Sequence, residues 1–263
     1  MNHFLNNSFV ESVQHLALGL EPIDAGRRTR IAHPIEIAFD KTPLGLPSIA
    51  IAFAIERHDS CLHAVRYQPG VANQVDLRFF DAARRFVPRR LRIPVLTLAA
   101  AESQAFTFRV RRPVLFPGAA YDTSETATGL RGRVLRNNQP MRWARVEATL
   151  PGNGVVVGRA HGDDRGEFLL LIDSGASTIG DLENPLPINV TVSGPGVMPS
   201  PATPDLPGLD PLWDLPLEVA SAPGANDPVS AGEALPANYT ATNTRLVDFT
   251  LGKLRSHAGD FVI

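Results

Sequence analysis

Large apolar residues alternate with small or polar ones along much of the chain. At 48–55, Ile49, Ile51, Phe53 and Ile55 alternate with Ala50, Ala52 and Ala54. That period of two predicts a strand packed tightly on one face. At 74–80, Val75, Leu77 and Phe79 share one face, while Asp76, Arg78 and Phe80 share the other. Segments 62–67, 90–98 and 105–111 read as further short strands separated by Pro, Gly or Asn. Together they predict an Arg-rich antiparallel β-sandwich over 28–112. The lead-in, 1–27, follows a different period. Phe9, Val13, Leu16 and Leu20 form a helical stripe, Ser8 and Glu11 have capping-box spacing, and Gly19 is a stop signal. A short N-terminal helix packed on its own domain is expected there.

Residues 113–128 read as a linker: two prolines, then a polar Thr/Ser run. A second β unit follows over 129–194. Leu130, Gly132 and Val134 lead to a turn at Asn137-Asn138-Gln139-Pro140. Ala144, Val146, Ala148 and Leu150 then alternate with Trp143, Arg145, Glu147 and Thr149. Turns at Pro151–Gly154 and Gly162–Gly166 flank a strand over 155–161, and Phe168–Ile172 is the next. Tight turns between short strands predict a meander.

This stretch resembles the carboxypeptidase regulatory-like domain, a transthyretin-like β-sandwich, through Gly132, Val134, Pro140, Ala144, Val146, Asp163, Gly166 and Phe168. His161-Gly162 departs from that family, which often has Thr there. The resemblance implies that Gly166 takes a positive φ and that Phe168 opens the next strand in the core. It also implies a domain that is usually a non-catalytic accessory. More loosely, the arrangement of the whole chain is similar to small proteins carried with phage-tail-like contractile injection particles.

From 194 to 243 there are ten prolines and five glycines, which excludes a regular sheet or helix. Residues 195–243 therefore read as an acidic, Pro-rich arm, either disordered or extended over a neighbour. Leu206, Leu209, Leu212, Trp213, Leu215, Leu217 and Val219 give it apolar anchors. Residues 244–263 hold a closing strand, Arg245–Leu254, and a tail.

Charge changes this picture more than composition does. The net charge is -2, yet fourteen arginines and four carboxylates lie between Arg78 and Arg145. Between Gly166 and Thr244 there are ten carboxylates and no basic residue. Either the arm neutralises the basic domain within one chain, or the two charges meet between copies or on a protein partner. The basic half lacks aromatics suited to base stacking, so a nucleic-acid partner is not expected. No apolar run reaches the length of a membrane-spanning helix. No signal-peptide pattern opens the sequence, so synthesis in the cytoplasm, with possible later presence in a particle, is the expectation. The single cysteine excludes an internal disulfide.

Candidate chemistry is sparse. LLLIDSGAS, 169–177, resembles the active-site loop of retropepsin-like aspartic proteases, and DFTLGKL, 248–254, resembles the segment packed behind that loop. The resemblance implies Asp173 as one of two carboxylates that share a proton across a dimer. Against it, Phe168–Ile172 already belongs to the second sandwich, and a Pro-rich arm makes a poor flap. Asp173 is read as a turn residue. His161, Asp163, Asp164 and Glu167 cluster in sequence without zinc-like spacing, and Asp163 and Asp164 suit a turn. His58, Cys61 and His63 contain the elements of a Cys/His pair but alternate poorly on a strand.

The expectation is an all-β protein of two sandwiches with a short N-terminal helix and an extended C-terminal arm. It would act as a non-catalytic structural or adaptor subunit of a protein assembly, with no catalytic, cofactor or metal site. Its partners would be other subunits or its own copies, met through the Arg-rich face and the acidic arm. A retropepsin-like protease using Asp173 and a stand-alone ligand-binding sandwich are the alternatives. Deleting 200–240 is expected to leave both β units folded while weakening assembly.

Overall fold

The computed structural model describes residues 15–42, 55–67, 72–173, 184–221, 227–256 and 259–263. The chain is all-β. In order it forms β1 (Leu16–Leu20), β2 (Ile23–Asp24), β3 (Glu36–Phe39), β4 (Glu56–Arg57), β5 (His63–Arg66), β6 (Gln74–Phe80) and β7 (Arg89–Pro94). Helix α1 (Leu98–Ser103) and a 3-10 turn (Phe106–Arg109) precede β8 (Val110–Arg111) and β9 (Val114–Leu115). The second half begins with β10 (Gly129–Arg136), β11 (Gln139–Pro140), β12 (Arg145–Thr149), β13 (Val156–His161), β14 (Glu167–Leu171) and β15 (Leu186–Gly194). It ends with α2 (Leu206–Leu209), β16 (Leu217–Val219), α3 (Pro228–Ala231), β17 (Ala241–Phe249), β18 (Leu254–Ser256) and β19 (Phe261–Val262).

The first unit has two sheets, ordered β4-β5-β1-β8 and β16-β7-β6-β3. Leu18, Leu20, Val65, Leu77, Phe79, Leu91 and Ile93 fill its core. The alternation over 74–80 matches β6, with Val75, Leu77 and Phe79 buried. Three local expectations are corrected. Leu16, Gly19 and Leu20 belong to a strand, not a helix, because β1 completes a sheet between β5 and β8. The rest of the expected helix, 1–14, lies outside the described residues, as does all of 48–55 except Ile55. Residues 106–109 form a 3-10 turn, and strand pairing begins only at Val110. The linker 113–128 is packed structure: β9 pairs with β2, Leu115 is core, and the buried Tyr121 hydroxyl donates to Asp24.

The second unit is a sandwich of β11-β10-β14 against β13-β12-β15-β17, with β18 and β19 pairing beside β10. Val134, Val146 and Phe168 are buried in it. The expected meander is divided between the two sheets instead. Asn137 (φ 51°) and Asn138 (φ 61°) make a tight hairpin of β10 with β11, and Trp143 (φ 60°) then turns the chain into the opposite sheet. β10 therefore pairs with β14, and β12 with β13 and β15. Gly166 has φ 73°, and a Cβ there would stand 2.7 Å from the Val134 carbonyl oxygen. β14 serves both units: Phe168 and Leu170 point into its own core, and Leu169 into that of the first.

The Pro-rich segment is a strap on its own chain. Gly194 and Ala241 are paired neighbours, the last register pair between β15 and β17. Residues 195–240 thus leave and return to one point of the second unit. Between those ends, β16 adds a parallel strand to β7 of the first unit. The proline-depleted stretch Leu217–Val219 is the part that can supply ladder donors.

Candidate functional site

The densest polar arrangement lies where the two units and the strap meet. Arg89 on β7 and Arg145 on β12 converge on Glu218 of β16, and all three side chains are nearly inaccessible (0%, 4% and 2% exposed). Arg89 grips the carboxylate with Nε (3.1 Å) and Nη2 (2.7 Å), and Arg145 Nη2 donates to it at 3.1 Å. Arg89 also donates to the carbonyls of Val114, Val229 and Ser230. Burial alone pushes the Glu218 carboxyl up, but the two guanidinium groups overcome it and hold it below the ordinary range. One carboxylate therefore ties together three elements distant in sequence.

Around this triad, Trp143 Nε1 donates to Asp214 (2.8 Å), and the Tyr239 hydroxyl donates to the Trp143 carbonyl (2.8 Å). His161 stacks on Phe116, with ring centroids 3.9 Å apart. Burial first, then Arg145 and Arg89, hold its imidazole well below the ordinary value, so it is neutral at neutral pH. A second ionic cluster pins the strap farther out. Arg78 donates to Asp210 (2.7 Å) and Asp40, and Arg90 also holds Asp40. Asp210 and Glu218, arm carboxylates read as available to a partner, are thus buried against arginines of their own chain, and Asp214 is paired with Arg142 and Trp143.

The residues singled out from sequence are dispersed. Asp173 donates its backbone N–H to Val157 (2.8 Å), and its carboxylate is ion-paired with Arg28. A proton-sharing dyad instead requires a second carboxylate in that position. Thr128 does bring the two protease-like segments to one place: its carbonyl accepts from Ile172 N (2.9 Å) and its hydroxyl from Gly252 N (2.8 Å). Residues 174–177 of the first segment lie outside the described residues. Asp163 is a turn former, accepting from Arg165 N (2.8 Å) and Glu167 N (2.9 Å). Asp164 faces Arg84, Glu167 faces Arg165, and His161 turns inward. No group of three potential ligands that could hold a metal occurs among the described residues. Cys61 Sγ contacts the Ala32 carbonyl (3.0 Å) and Arg57 (3.3 Å), whereas His58 bonds Ser60 (2.8 Å). Neither histidine hydrogen-bonds the thiol among the bonds of the described residues.

Sequence reading missed the Glu218 triad. The available signal was a lone carboxylate inside the apolar run Leu215-Pro-Leu-Glu-Val-Ala220, a place where charge is costly unless paired.

No family model matches the chain, and no curated protein matches it. Among solved structures, a 9R-lipoxygenase from Cyanothece PCC8801 aligns with 54% of this chain and 17% of its own length, at 13% identity and a TM-score of 0.26. The expectation that the chain is no enzyme is withdrawn against this finding. With so low a TM-score the match carries no argument for lipoxygenase chemistry or a shared fold. No helix among the described residues is long and apolar enough to cross a membrane.

Proposed function

We propose that this chain is a structural or adaptor subunit of a larger protein assembly. The observation that carries this reading is the segment of α1 and the following 3-10 turn. It leaves Leu98, Phe106 and Phe108 on the surface, with Phe106 66% exposed. Two aromatic rings and a leucine close in sequence form the kind of apolar surface that protein partners cover. The strap supports the same reading, because it joins the two β units through buried charge and leaves that segment uncovered. The resemblance over 129–194 to transthyretin-like accessory domains agrees with it. The looser resemblance of the whole chain extends the proposal to phage-tail-like contractile injection particles, with synthesis in the cytoplasm.

The test is association. Tagged chain recovered from its source cells should bring sheath and tube proteins with it, and Phe106→Ser/Phe108→Ser should abolish that recovery without changing the melting temperature. Recovery of the wild type alone, or equal recovery by the double variant, contradicts the proposal.

A further inference from the structure

The chain contains one five-residue pattern twice, as Asp24-Ala25-Gly26-Arg27-Arg28 and Asp81-Ala82-Ala83-Arg84-Arg85. Both copies fold as aspartate-anchored turns. Buried Asp24 accepts from the backbone N–H of Gly26 (2.8 Å) and Arg27 (3.0 Å), and its carbonyl accepts from Arg28 N (2.8 Å). Buried Asp81 accepts from the N–H of Ala83 (3.0 Å), Arg85 (2.9 Å) and Phe86 (3.2 Å), and its carbonyl accepts from Arg84 N (2.9 Å). One arginine in each turn is left-handed, Arg28 and Arg84, both with φ 55°. Such a conformation is costly for a residue with a side chain and points to a functional constraint.

The segment 115–121 lies between the turns and bonds to both. Ala25 N donates to Leu115, Gly118 N to Arg85 and Ala120 N to Arg84, while the Tyr121 hydroxyl donates to both oxygens of Asp24 (2.8 and 2.9 Å). A cleft of about 760 Å³ results, lined by Arg27, Arg30, His33, Arg85 and Tyr121. A second cleft, of about 820 Å³, adjoins it, lined by Arg27, Arg28 and Arg159. The two share Asp24, Arg27, Tyr121 and Asp122, so they lie side by side along these residues.

The anchoring carboxylates are buried and saturated with donors, while Arg27, Arg28 and Arg84 are 59%, 77% and 57% exposed. Asp122 stands 3.8 Å from Arg27, whose Nη2 also donates to the Asp122 carbonyl (3.2 Å); Arg28 is paired with Asp173; and Arg84, outside the lining of both clefts, has Asp164 at 3.7 Å. Glu21 holds Arg30, and Glu233 lies in the wall of the second cleft. Exposed pairs of this kind contribute little and exchange readily for an incoming carboxylate. Arg85 is exposed and makes no ion pair among the described residues.

We propose that the paired arginine turns form a docking trough for an extended acidic segment of a partner protein. Guanidinium forks match carboxylates geometrically, and arginines spread over two adjoining clefts suit a chain with several carboxylates more than a single ion. The aromatic rings do not offer free stacking faces: His33 stacks on Phe86, and Arg27 lies over Tyr121. That arrangement favours a peptide over nucleic acid. The site is separate from the α1 segment, so it stands whether or not the assembly reading holds.

The probe is a fluorophore-labelled peptide of alternating Asp and Glu, titrated by anisotropy against the full chain at low salt. Binding should weaken about tenfold or more in Arg27→Glu/Arg85→Glu, and with added salt. It should change less than about twofold in Arg255→Glu, a charge reversal on β18 of the other unit. If the double variant melts early, Arg27→Gln/Arg85→Gln serves in its place, with the same expected direction. No wild-type binding overturns the proposal, as does equal loss in the Arg255 control, which would mean diffuse attraction. Displacement by an equal concentration of inorganic phosphate also overturns it, in favour of a free phosphate site.

Discussion

The second β unit and the strap that leaves it are adjacent in sequence but are held by opposite means. From 129 to 194, backbone ladders and alternating apolar side chains do the work, and Ile188, Val190 and Val192 are fully buried along one strand. Among the described residues of 195–240, three join a ladder, and the segment is positioned by Asp210, Asp214 and Glu218 on arginines far away in sequence. The difference teaches where a single substitution acts. A cavity in the sandwich weakens the unit that contains it, whereas loss of one strap carboxylate uncouples three elements.

The largest effects should therefore look different despite similar size. Phe168→Ala removes a buried ring from the second core and should cost about 3–5 kcal/mol. Glu218→Gln leaves Arg89 and Arg145 buried without their counter-charge and should also cost about 3–5 kcal/mol. Chemical denaturation checks both. A single transition at lower denaturant is expected for Phe168→Ala, and early loss of the strap ahead of the main transition for Glu218→Gln. A Glu218→Gln protein as stable as wild type would mean that the strap is held by its apolar contacts alone. Deleting 200–240 is no longer expected to be mild, because it removes Asp210 and Glu218 and leaves Arg78, Arg89 and Arg145 inside.

A smaller effect concerns pH. His161 is held neutral in the folded chain, while the unfolded chain protonates it near its ordinary value. The unfolded state then binds more protons as pH falls below about 6.5, so stability drops by up to about 1.4 kcal/mol per pH unit from this group. His63, also lowered by burial and then by Arg57, acts in the same direction. Thermal melts between pH 7 and 5 should show a shallower loss in His161→Phe than in wild type. An unchanged slope would remove His161 from the acid response.

Much of the second unit was legible because its information is local. Alternation located β12 and Phe168, Asn137-Asn138 marked a hairpin, and Gly166 marked a positive φ. Which strand joined which sheet was not legible, since Trp143 redirects the chain by a backbone conformation that a bulky residue rarely adopts. Leu16–Leu20 misled because an apolar residue four positions after another fits a helix stripe as well as a strand, and only pairing with β5 and β8 decides. The charge segregation was plain, yet sequence could not tell neutralisation within the chain from contact between copies. For Glu218 the contact lies within the chain, reaching β7 and β12 across 129 and 73 residues.

The central claim is that buried charge at Glu218 holds the strap across both units. Amide hydrogen exchange on Glu218→Gln tests it most directly. The amides of Leu217–Ala220 should lose most of their protection while those of β12 and β15 keep theirs, because only the strap depends on the triad for its position. Wild-type protection at Leu217–Ala220 in that variant would contradict the account.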